Sequence, residues 1–171
     1  SARMSPTDLV ELLNDVFTYF DEVADELGIE KIKTIGDCYM AASGVPDRRP
    51  DHANIVTEMA LRVRDHVDSH DFHGHRLRFR IGINSGPLVA GVIGTRKFIY
   101  DLWGDAVNTA SRMESHGEEG TIQITRSTYE LIGDDFVCEP RGKVAVKGKG
   151  AMDVWHVMGR AVEAAPMAGM K

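Results

Sequence analysis

Lys31-Ile-Lys-Thr-Ile-Gly-Asp37 is the stretch on which the fold turns. Residues 29–35 have the composition of a strand, Gly36-Asp37 forms a tight turn, and residues 38–43 return as the second arm of a hairpin. A helix precedes it. Ser5 is a good N-cap, Pro6 suits the first helical position, and Asp8 favours the positive end of the helix dipole. Leu9, Leu13, Val16, Phe20, Val23 and Leu27 then recur at three- and four-residue steps, and Gly28 is placed to close the helix in a left-handed conformation. A second helix is expected over about residues 51–67, with Ile55, Met59, Leu61, Val63 and Val67 on its buried side.

Further along, Arg76-Leu-Arg-Phe-Arg-Ile-Gly-Ile83 alternates cleanly, with Leu77, Phe79, Ile81 and Ile83 on one face and three arginines on the other. Val89 to Ile93 is a shorter strand, and Gly94-Thr-Arg-Lys97 a turn leading to Phe98-Ile-Tyr100. The pattern then predicts a helix over 105–115, a strand over 121–124, a short helix over 125–132, and two strands within 136–158 around Val146-Lys-Gly-Lys-Gly150. Strands and helices interleave without repeats, so the class is α/β or α+β with a mixed sheet. Residues 1–158 form one domain, and 159–171, rich in Ala, Met and Gly, a flexible tail.

A chain of 171 residues with 43% hydrophobic and 27% charged residues is ordinary for a soluble globular domain. Its net charge of −6 argues against a nucleic-acid surface. No apolar run approaches the ~20 residues of a membrane span. The two cysteines, Cys38 and Cys138, form neither a metal-ligand pair nor a disulfide framework, which places the domain in a reducing cytoplasm. A Walker-type phosphate loop starting at Gly142 fails because Lys147 stands where its second glycine belongs. His66, His70, His73 and His75 are expected to be an exposed helix end and loop rather than a metal cluster.

Taken alone, Lys33 and Asp37 are a solvated strand lysine and a turn aspartate. Asn108 and Arg112, four apart on a helix, are by themselves a polar face. In context they carry more. Lys31 to Asp37, together with Asp101-Leu-Trp-Gly-Asp-Ala-Val-Asn-Thr-Ala-Ser-Arg112, closely resembles the catalytic domain of class III nucleotidyl cyclases, of the bacterial homodimeric adenylate cyclase type. The resemblance implies the cyclase-homology fold, an α+β sandwich whose ferredoxin-like, mostly antiparallel sheet carries packed helices. It also implies conversion of ATP to cyclic AMP and pyrophosphate, with two Mg²⁺ or Mn²⁺ ions per site and sites shared across a homodimer. By that resemblance Asp37 binds metal, Lys33 and Asp101 contact the base, Asn108 orients the ribose, Arg112 stabilises charge at the reacting phosphorus, and Lys147 contacts the triphosphate. The chemistry agrees. Adenine offers an acceptor at N1 and a donor amine at N6, matching a lysine donor and an aspartate acceptor, whereas guanine reverses the pattern.

Domains of this family open with a strand whose following loop carries a first metal aspartate. This chain begins at Ser1, after that point, and is expected to lack both. A cyclase-like dimerisation or nucleotide-binding module without turnover is therefore the alternative, and a guanylate cyclase a weaker one. A diguanylate cyclase is a weaker reading still, because no Gly-Gly-Asp/Glu-Glu-Phe sequence occurs. Upstream regulatory or membrane segments are common in the family.

Overall fold

The computed structural model describes residues 5–93 and 99–161. They divide into two compact units: residues up to 78 with 92–101, and 79–91 with those from 102 onward.

The first unit is built on two helices. α1 (Pro6–Leu27) begins as its sequence demands: the Ser5 hydroxyl accepts from the Asp8 amide at 3.1 Å, and Gly28 closes the helix at φ 71°. Leu12, Val16, Phe17, Phe20, Val23 and Ala24 form its buried stripe. α2 (His52–Ser69) buries Met59, Ala60, Leu61, Val63 and Val67. β1 (Glu30–Ile35) and β2 (Cys38–Ala42) form the expected hairpin, with Ile35 opposite Cys38 and only Gly36 and Asp37 between them. Gly36 takes φ 58°, the positive value that the first position of a type II′ turn requires.

The ladder slips between Lys31 and Lys33, which pair with the adjacent residues Ala41 and Met40. A period of two would put both lysines on one face; the bulge at Ile32 breaks that period. Lys31 instead lies 3.3 Å from Asp21 of α1 and 5.3 Å from the centre of the Tyr39 ring. Tyr39 donates to Asp21 at 2.7 Å. Burial, reinforced by that bond, pushes the phenol pKa well above its ordinary value.

The second unit is a four-stranded sheet ordered β5-β8-β10-β9. Here β5 is Ile81–Ile83, β8 Ile122–Thr125, β9 Phe136–Val146 and β10 Gly150–Arg160. β5 and β8 run parallel, and the other neighbours are antiparallel. The parallel pair needs a crossover, which α3 (Asp105–Ser115) supplies, and α4 (Arg126–Ile132) follows β8 directly. Met113, Val146 and Val154 make a buried cluster beside Val144 and Met152. β6 (Val89–Ile93) and β7 (Ile99–Trp103) form a two-stranded sheet. The expected turn at 94–97, with Phe98, lies outside the described residues, as does the tail from 162. β10 takes Gly159 and Arg160, two residues the sequence assigns to the tail.

The alternating run from Arg76 to Ile83 is not one strand. Arg76 ends β4 (His75–Arg76), which pairs with β3 (Asp71–Phe72) across a His73-Gly74 turn, and only residues 81–83 join the four-stranded ladder. The alternation itself survives: Arg76, Arg78 and Arg80 are exposed, while Ile83 is buried. Side-chain pattern specifies the faces, but a strand also needs a neighbour with which to pair.

Gly82 is where α3 seats on the sheet. A Cβ there would lie 2.2 Å from the Glu114 nitrogen and 2.6 Å from the Met113 carbonyl carbon. Backbone cannot yield as a flexible side chain does, so Gly82→Ala should destabilise by about 1–3 kcal/mol or more. Urea unfolding checks this; an unchanged midpoint would contradict the close seating.

Candidate active site

The first unit brings together two residues 68 positions apart. The Lys33 Nζ on β1 donates to Asp101 Oδ2 on β7 at 2.7 Å. The aspartate side chain is 14% exposed and the lysine 36%, so the pair sits at the edge of the interior. The mutual bond does not exhaust the lysine ammonium, which carries three donors. The result is a donor and an acceptor side by side at one spot. Four residues beyond Lys33, Asp37 occupies the exposed hairpin turn, and among the described residues its carboxylate takes no hydrogen-bond or ion-pair partner.

The second unit carries the other three expected residues. Asn108 is exposed and Arg112 half-buried on α3. Among the described residues neither side chain has a hydrogen-bond or ion-pair partner. Its guanidinium nitrogens are not among the buried unpaired polar atoms, so they keep their access to water, and the planar donor fork stays charged. Such a group is disposed to take an anion.

Lys147 begins the three-residue turn between β9 and β10, and Lys149 ends it. The two differ in their surroundings. Lys149 pairs with Asp105 in the first turn of α3, whereas Lys147 is exposed and has no carboxylate partner among the described residues. Lys149 thus ties the turn to the helix that bears Asn108 and Arg112, leaving Lys147 as the cation available to a ligand. Sequence pattern alone does not separate these lysines, since both flank Gly148; what separates them is Asp105, 44 residues away.

Of the four histidines expected to be exposed, His70 and His73 are, whereas His66 on α2 and His75 on β4 are half-buried. His66 stacks on Tyr19 at 3.6 Å and on His70 at 4.1 Å, while His73 bonds Asp15 at 2.6 Å. Burial, then the neighbouring His70, lowers the His66 pKa from its usual value. Among the described residues no group of three or more His, Cys, Asp or Glu is arranged to hold a metal ion.

Residues 1–159 match the family described as the adenylate and guanylate cyclase catalytic domain. The chain belongs to this family. It is 48% identical over 167 residues to an adenylate cyclase of Mycobacterium tuberculosis, covering 97% of this chain and 38% of the relative. A receptor-type guanylate cyclase of Caenorhabditis elegans is 42% identical over 165 residues, with 93% of this chain and 13% of the relative covered. Among solved structures, the guanylate cyclase domain from Catenaria anguillulae in complex with GTP superposes with a TM-score of 0.89 at 40% identity, covering 94% of this chain and 88% of the other. The chain thus spans well under half the length of these curated relatives. The α+β cyclase fold follows from this kinship. Relatives of both substrate types share the fold, so base choice rests on side chains.

Proposed function

We propose that the domain is an adenylate cyclase, converting ATP to 3′,5′-cyclic AMP and pyrophosphate. The observation that supports this reading most directly is the Lys33–Asp101 pair. It offers a donor to adenine N1 and an acceptor to the N6 amine, and against guanine it would leave polar groups mismatched.

The ribose 3′ oxygen attacks the α-phosphorus, its proton passes to water, and the bond from phosphorus to the pyrophosphate oxygen breaks. Asn108 holds the ribose so that the attacking oxygen faces phosphorus. Arg112 donates to the α-phosphate oxygens, where negative charge accumulates, with a planar fork that stays charged throughout. Lys147 neutralises the outer phosphates. Asp37 is suited to hold a divalent ion: it is a hard carboxylate, exposed and without a protein partner among the described residues, and Mg²⁺ binds through one or two carboxylates plus substrate phosphates. When bound, Mg²⁺ or Mn²⁺ supplies charge neutralisation on the triphosphate and acidifies the attacking hydroxyl.

The working form is a head-to-tail homodimer. One chain contributes Asp37, and the other Lys33, Asp101, Asn108, Arg112 and Lys147; each chain holds both sets, so symmetry gives two equivalent sites. No helix among the described residues is long and apolar enough to cross a membrane. That fits catalysis on the cytoplasmic side, with any regulatory or membrane segment outside this domain. The test is cyclic AMP formation from ATP with Mg²⁺ or Mn²⁺ across a dilution series. Specific activity should rise with protein concentration as chains pair. Absence of cyclic AMP at every concentration would sink the activity, and a flat specific activity would sink the shared site.

A further inference from the structure

Asn84 follows β5 directly and plays no part in the chemistry described above. Its side chain nonetheless joins three elements. Nδ2 donates to the Ala106 carbonyl in the first turn of α3 at 3.0 Å. Oδ1 accepts from the Thr125 hydroxyl at 2.6 Å and from the Ser127 hydroxyl at 3.1 Å, at the junction of β8 and α4. Its orientation is forced, because a carbonyl only accepts and so the amide nitrogen must face Ala106. Gly86 completes the approach: a Cβ there would lie 3.2 Å from the Ala106 Cβ.

The far end of α3 is held differently. Gly82 lies under the Met113–Glu114 backbone, and Arg80 pairs with Glu114 at 3.0 Å. The helix therefore has mounts at Ala106 and at Glu114, about 12 Å apart along its axis, besides the exposed Asp105–Lys149 pair. Asn108 stands two residues from the first mount, and Arg112 one or two from the second.

We infer that Asn84 is a positioning residue for the reaction, fixing the N-terminal end of α3 and through it the Asn108 side chain. The inference rests on the cyclase reading of Asn108 and Arg112. Without the Asn84 amide, the first turn of α3 loses its hydrogen-bonded mount and keeps the exposed Asp105–Lys149 pair and the Gly86 contact, while the Gly82 seat still holds the last turn. Asn108 then moves and Arg112 stays. The base pair Lys33–Asp101 and the metal carboxylate Asp37 lie on other elements and are not carried along.

The test is a set of double-mutant cycles in cyclic AMP formation with Mn²⁺, a readout a purely structural role would not reproduce. Asn84→Ala should lower kcat about tenfold or more, since displacements near 1 Å cost up to about 100-fold. KM for ATP should stay within about threefold and the ATP:GTP preference should not change, because the lost interaction acts in the transition state. In an Asn108→Ala background the further loss should shrink below about threefold, while in an Arg112→Ala background it should stay near tenfold. Asn84→His guards against simple unfolding. Its ring N–H can still reach the Ala106 carbonyl, and Asn84 borders an open cleft of about 340 Å³ with room for the ring. It should recover at least about a third of the wild-type kcat, as the donor arm is the one that matters. Wild-type kcat in Asn84→Ala, an equal loss in both backgrounds, or a folded Asn84→His as slow as the alanine variant would each overturn the positioning role. Wild-type kcat in Asn108→Ala would instead remove the cyclase reading of α3, and this inference with it.

Discussion

Asp37→Ala and Arg112→Ala proteins are expected to be nearly inactive alone and to recover about a quarter of wild-type activity when mixed in equal amounts, as random pairing across a symmetric dimer requires. Asp37 sits in the exposed β1–β2 turn, and Arg112 is half-buried on α3 with no hydrogen-bond or ion-pair partner among the described residues. Neither substitution removes a hydrogen bond or ion pair among those residues, so both variants should fold. In the shared-site scheme, Asp37 of one chain serves the same reaction as Arg112 of the other. A heterodimer then contains one site with both lesions and one site with neither. About half the dimers are heterodimers, each with one of two sites intact, which gives the quarter. Lys33 and Asp37 make the scheme demanding: they lie on one hairpin, four residues apart, yet would serve different sites. If subunit exchange is demonstrated and the mixture stays as inactive as its parents, each site must lie within one chain. An Asp37→Ala protein that retains divalent-dependent turnover would separately exclude the metal role.

Local chemistry made much of the fold readable. The Ser5 cap and the Gly28 stop bound α1 as expected, but its buried stripe runs through Leu12, Val16, Phe17, Phe20, Val23 and Ala24, so Leu9, Leu13 and Leu27 of the expected stripe are only half-buried. The Gly36-Asp37 turn likewise sets the β1–β2 register. What sequence could not supply is pairing. The run Arg76 to Ile83 carries the right faces but is divided between a small hairpin and the end of the parallel pair. Its division at residues 77–80 depends on which backbones lie alongside. The bulge at Ile32 is of the same kind, since it exists only in relation to β2.

The site divides similarly. Motif resemblance singles out Lys33, Asp101, Asn108 and Arg112, and the structure adds the physical link between the first two. It also adds residues no motif marks. Asn84 looks like any asparagine after a strand, and only Ala106, Thr125 and Ser127, from distant parts of the chain, give it work. Asp105 looks like a favourable first-turn carboxylate, yet its partner is Lys149. Gln123 is the extreme case: a polar side chain fully buried in β8, donating to the Met113 carbonyl at 3.2 Å and accepting from Arg141. Polar residues of this sort are satisfied by tertiary contacts, so periodicity carries no sign of them.

Exchanging Lys33 for Glu and Asp101 for Cys together should lower kcat/KM for ATP and raise relative GTP use. The pair lies at 2.7 Å and is partly buried, so each partner is held by the other as well as by any base it contacts. Lys33→Glu alone would set two carboxylates against each other and lose ATP without a gain for GTP. The double variant removes that repulsion. Glu at 33 accepts from the guanine N1–H and N2 amine, and a thiol at 101 offers a weak donor to O6 in place of a repelling carboxylate. Each mismatched buried polar contact costs about 1–3 kcal/mol, so two reversed contacts should shift the ATP:GTP ratio by about 100-fold or more. Absolute GTP turnover is expected to stay modest, because a thiol donates weakly. Competition assays with both nucleotides present would read the ratio directly. A double variant that keeps the wild-type ATP:GTP ratio in kcat/KM would show that Lys33 and Asp101 do not read the base, and the adenylate assignment would lose its main support.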